Sequence, residues 1–519
     1  MARRSRIACG SIWTLAVIGA CGTDPSTDPA LDAAAIDPRD ASALPDAAPG
    51  DAGTAPTDDA GAATLRAIRA VLLAPPRLAP ADTASAAATG VLSNGDEIDL
   101  TLAATWSTSS ATIVRVLAGG RVIAEAPGRA EIWATRGAIE SNRVALEVVA
   151  PNPPDTGELR GVWVTRWTFS RTADIQRIVD DVASANLNAI FMQVRGTADA
   201  YYGSTLEPWA RGLSGALGTD PGWDPLQEMI TRAHARGIQV HAWINTFTAW
   251  TGTTPPTEST PRHAILSHPE WLCTDANGAP MPPSSSEYQF FSPGNGDARA
   301  HIAAVAAEIA ARYAIDGLHL DYVRYPGPSY SHDPASEVDY AIARGGVSDL
   351  TWADFQRSRV TALVTDVKRR LAVERPAAIL TVAAWPIYRN RWSWSAVSKG
   401  FDDYYQDTHA WAERGLVDAL CPMTYWPMTS PKGERTDWAT LIDDHLAATR
   451  AGGRHLFAAV NAEHDADEVL RQIDYARRSG ARGLMFFELG GLRTNDHLAR
   501  LAQGPFREPA PVPTYPWQQ

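Results

Sequence analysis

From Leu159 onward the sequence alternates between short apolar runs and amphipathic stretches, eight times over, and this limits the fold more than any other feature of the chain. The runs are Leu159–Thr165, Ala189–Arg195, Gln239–Asn245, Gly317–Tyr322, Ile379–Trp385, Ala419–Tyr425, Leu456–Asn461 and Leu484–Glu488. They are continuously apolar, as parallel strands covered on both faces must be. The intervening stretches predict helices over Ala173–Leu187, Asp224–Arg236, Ala298–Tyr313, Trp352–Val373, Trp438–Arg450 and Ala466–Ser479. In the first of these, Ile175, Ile178, Val179 and Val182 form one face, and Gly237, Gly452 and Gly480 mark helix ends. Eight βα units within about 330 residues predict an α/β fold, a closed (β/α)8 barrel over residues 155–505 with a tail at 506–519. An open doubly wound sheet would favour a glycine-rich first turn, and Thr165-Arg166-Trp167-Thr168-Phe169 is not one.

The residues before the barrel divide into three parts. Arg3, Arg4 and Arg6 precede an apolar stretch that stops at Val17-Ile18-Gly19-Ala20-Cys21. A basic start, a short apolar core and small residues before a cysteine read as an export signal over residues 1–20. Cys21 is then expected to carry a lipid, placing the chain in the cell envelope, at the outer membrane or cell surface, with no other membrane attachment. Residues 21–64 hold nine Asp, one Arg and few large apolar side chains, which predicts a disordered acidic tether. Residues 65–150 change character again, with alternating runs at Ile98–Leu102, Ile113–Val116, Arg121–Ala124, Ala130–Ala134 and Val144–Val148. Turn residues separate them at sandwich spacing. Thr105-Trp106-Ser107-Thr108-Ser109, Gly119-Gly120-Arg121-Val122 and Pro127-Gly128-Arg129-Ala130 resemble a bacterial immunoglobulin-like domain of the second Big type, a small all-β module that serves as a spacer or an adhesion unit.

Barrel chemistry sits at the C-terminal ends of the strands, so those ends are the candidate site. They present Arg195, His241, Trp243, Asn245, His319, Asp321, Tyr322, Arg324, Trp385, Arg389, Tyr425, Trp426 and Glu488, with Glu207 in the loop after the second strand. Of the 18 Trp, eight (Trp167, Trp209, Trp243, Trp250, Trp385, Trp392, Trp394 and Trp426) fall at strand ends or in the following loops. Aromatic rings stack on the C–H faces of sugars, while amides, arginines and carboxylates bond their hydroxyls. Breaking a glycosidic bond takes two carboxyls. Asp321 and Glu488 each close an apolar strand and are the candidate pair, Asp321 as nucleophile or base and Glu488 as acid. Glu463 and Asp297 stand in reserve. The other candidates are expected to bind substrate.

Other chemistries fit less well. His241, His319 and Asp321 are the nearest approach to a metal set, but no HxH or HExxH is present, so neither metal nor cofactor is expected. There is no GxSxG elbow for a serine nucleophile. A net charge of −13 argues against nucleic acid as a partner. Cys273 and Cys421 read as two separate packed thiols, because Cys421 lies inside an apolar run.

Several segments resemble the glycosyl-hydrolase-like family ten, a domain formerly of unknown function. They are Glu158-Leu159-Arg160-Gly161-Val162-Trp163-Val164, Gln193-Val194-Arg195, Asp199-Ala200-Tyr201-Tyr202, Glu207-Pro208-Trp209, Gly237–Asn245, His268-Pro269-Glu270-Trp271, Asp316–Pro326 and Pro422-Met423-Thr424-Tyr425-Trp426. The likeness runs from about Glu158 to about Leu501. It implies a TIM barrel acting on glycans, in bacteria often cell-wall strands, so a polysaccharide substrate and a peptidoglycan glycosidase are expected. The chain departs from the family's pattern at Asn245-Thr246 and at Trp385-Pro386-Ile387-Tyr388-Arg389-Asn390. The rival expectation is a non-catalytic surface lipoprotein that binds glycan.

Overall fold

The structure, a computed structural model, describes residues 64–73, 77–78, 80, 83–148, 157–346, 349–428 and 437–518. The expected export signal, Cys21 and nearly all of the expected acidic tether lie outside the described residues.

The eight apolar runs form eight parallel strands in one closed barrel, ordered as in the sequence: Leu159–Val164, Ala189–Arg195, Gln239–Asn245, Gly317–Asp321, Ile379–Ala384, Ala419–Pro422, His455–Asn461 and Gly483–Phe487. The eighth pairs with the first through Leu159 opposite Gly483. Side chains on odd-numbered positions of the first four strands point inward in layers. Phe191 stands beside His241, Gln193 beside Trp243, Trp243 beside His319 and Asn245 beside Asp321. The surrounding helices bury the faces their periodicity assigns. In Thr172–Ser184 the buried residues are Ile175, Ile178, Val179 and Val182. Asp224, Thr351 and Asp465 each cap a helix by accepting a backbone N–H.

Ahead of the barrel, residues 65–148 form two five-stranded sheets around one core that includes Ile68, Leu100, Trp106, Val122, Ile132 and Leu146. The residues after Gln503 run across the N-terminal end of the barrel. Arg160 donates to Glu508 O at 2.8 Å, Asn188 to Ala510 O at 3.0 Å, and the Glu158 N–H to Pro511 O at 2.9 Å. The Trp517 indole donates to Asp418 Oδ1 at 2.7 Å, while its ring belongs to the core of the two sheets. Arg454 and Gly452 of the barrel also bond Thr83 of the sheets. Cys273 and Cys421 are separate buried thiols.

Candidate active site

The barrel interior corrects two expectations first. His241 and His319 have no exposed surface and fill the barrel instead of facing substrate. The His241 ring stacks on Phe191 at 4.2 Å, and Gly317 makes room for it, since a Cβ there would stand 2.2 Å from His241 Nδ1. His319 Nε2 accepts from the Trp163 indole at 3.1 Å, so its proton is on Nδ1, which donates to Thr381 Oγ1 at 2.8 Å. Burial pushes the two imidazoles down to about 4 and about 3, and both are neutral at physiological pH.

Arg195 and Glu207 are likewise interior. Their ion pair closes at 2.8 Å with side chains 0% and 1% exposed. Arg195 also bonds the carbonyls of Asn245 and Thr246, and His301 Nε2 reaches Glu207 at 3.2 Å. Although burial acts against it, the charges and hydrogen bonds of Arg195 and His301 bring Glu207 down to about 2. The pair ties the loop after the second strand to the end of the third, and its donors and acceptors are spent within the protein. That corrects its expected role.

Above these layers is a mouth centred on Asp321. Tyr322 has a φ of 50°, a left-handed conformation rare for a bulky residue, and this turn folds its N–H back onto Asp321 Oδ1 at 2.7 Å. Burial pushes the Asp321 carboxyl up to about 6, against the downward pull of that N–H, the Arg324 charge and the Trp243 indole. The Arg324 guanidinium lies among the rings of Tyr404 at 4.7 Å, Tyr322 and Trp385 at 5.0 Å, and Phe290 at 5.7 Å. Trp385 is therefore mostly a wall for Arg324, and its indole N–H is already bonded to Ser398 O. Tyr425 packs on Phe487 at 5.0 Å and feels the charge of Asp321. On the first-strand side, fully buried Arg166 bonds the Tyr288 hydroxyl at 3.2 Å; burial opposes its charge, but Tyr288, Asp199 and Tyr201 hold it raised.

The remaining candidates line the rim. Glu488 is half-buried at the end of the eighth strand, its carboxylate over Gly490, where a Cβ would stand 2.4 Å from Oε1. Trp426 is half-buried and Arg389 is exposed, lying on the Phe401 ring at 3.6 Å. Glu463 and Asp297 are exposed. Trp392 and Trp394 stack at 4.5 Å in the loop after the fifth strand, a loop held by paired bonds between Asn390 and Trp394. Trp167, 56% exposed, follows the first strand and so stands across the mouth from them. Trp250 is in loop packing against His263. Among the described residues, no group of three or more His, Cys, Asp or Glu is arranged to hold a metal ion.

Sequence reasoning misses Tyr288 and Phe290, which a hairpin of Thr248–Thr251 and Tyr288–Phe290 swings over the mouth. It also misses Tyr404. Asp199 carries a signal, the Asp199-Ala200-Tyr201-Tyr202 motif, without standing out as a site residue from sequence.

Known proteins resemble the chain over this same region. Residues 158–451 match the family described as glycosyl hydrolase-like 10. The chain is 26% identical over 398 residues to "Glycosyl hydrolase YngK" of Bacillus subtilis, covering 70% of this chain and 75% of that one. It is 28% identical over 267 residues to "Glycosyl hydrolase DigH" of Escherichia coli, covering 48% and 57%. Among solved structures, the PgaB (BpsB) glycoside hydrolase domain from Bordetella bronchiseptica superposes with a TM-score of 0.48 at 14% identity, covering 69% of this chain and 100% of that one. The family match spans more than half of the chain and takes in Asp321 with the turn that holds it, so this chain belongs to the glycosyl hydrolase-like 10 family and is a glycosidase.

Proposed function

We propose that the protein is an endo-acting glycosidase of cell-wall glycan strands, with Asp321 as its proton donor. The observation that carries this is the raised carboxyl of Asp321 in an aromatic-lined mouth. A carboxyl held near 6 keeps part of its population protonated near neutral pH, which suits a general acid. This reverses the pairing expected from sequence: Glu488 becomes the nucleophile or base. In the reaction, Asp321 gives its proton to the glycosidic oxygen as the bond from that oxygen to the anomeric carbon breaks. Glu488 either attacks that carbon or takes a proton from an incoming water. A carboxyl separation of about 5 Å goes with the first course and about 6.5–9.5 Å with the second. Trp167 on one side, and Trp392 with Trp394 on the other, would grip the strand on both sides of the cut, the arrangement an endo-acting enzyme needs. The lipid on Cys21 and the acidic tether would hold the barrel at the envelope, with the two-sheet domain, read as immunoglobulin-like, serving as spacer or glycan contact.

The test uses residues 64–519, wild type beside Asp321→Asn. Each is incubated with peptidoglycan glycan strands with and without stem peptides, and with chitin-type and α-glucan controls, and new reducing ends are counted by mass spectrometry. Release from peptidoglycan by wild type alone supports the proposal. Release only from a control glycan overturns the substrate. No release with binding intact would favour an adhesion role.

A further inference from the structure

The end of the third strand carries a donor whose direction is dictated from elsewhere. The backbone N–H of Arg166 donates to Gln193 Oε1 at 3.1 Å. A backbone N–H can only donate, so the Gln193 amide has one orientation, and its Nε2 faces Asn245. That Nε2 donates to Asn245 Oδ1 at 3.0 Å. Asn245 is fixed in turn, with Oδ1 spent and Nδ2 turned away from Gln193. Asn245 is 1% exposed, and Nδ2 has no protein acceptor among the described residues. Asn245 is also the register partner of Asp321 on the neighbouring strand, so the two side chains share the inward face at the mouth. A buried donor without an acceptor is costly, and a ligand that supplies the acceptor removes that cost.

We propose that Gln193 is a positioning residue, which locks Asn245 so that Nδ2 donates to an acceptor oxygen on the sugar held against Asp321. The subsite then selects a sugar that presents an oxygen able only to accept there, such as an amide carbonyl, since a hydroxyl could donate to a turned amide as readily as accept from the native one. This rests on the glycosidase reading of the mouth. The three-residue chain spans the first, second and third strands, so the direction of one donor is set by the frame of the barrel. Neither end can flip alone, because Arg166 N has no acceptor role to take.

Gln193→Glu tests the direction of the relay. The introduced carboxylate still accepts from Arg166 N but cannot donate to Asn245. Asn245 then turns its amide, gives Nδ2 to that carboxylate, and shows an acceptor to the sugar. The expected result at neutral pH is a fall of about 10- to 100-fold in kcat/KM on the best glycan substrate. At low pH the introduced carboxyl, once protonated, donates its O–H to Asn245 Oδ1 and restores the original pattern, so the ratio of variant to wild-type activity should climb on acidification. Gln193→Met, which makes neither bond, should lose activity without that recovery. Thermal unfolding of all three proteins confirms that they are folded at each pH. Equal activity of Gln193→Glu and wild type, or a deficit that does not change with pH, overturns the proposal. If the wild type cleaves no glycan, the glycosidase reading fails first, and calorimetry with a chitin-type oligosaccharide decides the relay separately. Binding weakened in Gln193→Glu and recovered in acid supports it, and unchanged binding overturns it.

Discussion

Asp321→Asn should make the protein more stable at pH 7 while abolishing its activity. The carboxyl ordinarily titrates at 3.8 and is held near 6 in the folded chain. A raised carboxyl binds its proton more tightly when folded than when unfolded. Between about pH 4 and pH 6 the folded state therefore carries more proton than the unfolded state, and stability falls as pH rises. The difference of about 2 units corresponds to about 3 kcal/mol, absent below pH 4 and fully felt above pH 6. Because Asp321 keeps some contact with solvent at the mouth, about 3 kcal/mol is an upper bound. Asparagine has nearly the same shape and no charge to bury. Chemical denaturation of wild type and variant at pH 4 and pH 7 isolates the effect, because all other groups cancel in the comparison. The variant should match wild type at pH 4 and exceed it by up to about 3 kcal/mol at pH 7. A variant no more stable at pH 7 than at pH 4, relative to wild type, would refute the reasoning. With Asp321 as the proposed proton donor, wild-type kcat/KM should fall on the alkaline side of about pH 6, as a pH profile would show.

Arg195→Met leaves Glu207 charged, buried and without its main partner, and should cost about 3–5 kcal/mol in denaturant unfolding. Trp392→Ala with Trp394→Ala should raise KM several-fold on long glycan strands and leave kcat on short fragments unchanged, measured with size-fractionated substrates. Trp517→Ala removes an indole from the two-sheet core and the donor to Asp418, and should destabilise the chain by about 3–5 kcal/mol, read by calorimetry.

The barrel can be read from sequence because each strand is apolar on both faces and most helices bury one regular face. Ala189–Arg195 and Gln239–Asn245 match residue for residue. The sixth strand stops at Pro422, short of the expected Tyr425; Met423 N–H still bonds Ala384 O, but the Thr424 N–H turns back to Pro422 O. The helix Pro334–Gly346 is not among those expected, and its apolar Val338 and Ile342 stay exposed instead of packing on the barrel. Asp321 and Asn245 can be named from strand ends alone. His241 and Arg195 mislead for a common reason: a polar side chain in an apolar strand can be turned into the barrel interior and not toward a ligand. Only the neighbours tell which, the Phe191 ring and the Gln239 amide for His241 and the Glu207 carboxylate for Arg195. Tyr288 and Phe290 reach the mouth by a tertiary excursion that local pattern does not encode.

The tail across the barrel floor has a consequence for the order in which the molecule is completed. The two sheets precede the barrel in the chain, yet Trp517, which belongs to their core, lies beyond the entire barrel. The interior of the amino-terminal domain is complete only when the far end of the chain has docked, which ties it to a contact of very long sequence separation. A chain interrupted within the barrel would leave that first domain lacking the Trp517 indole from its core.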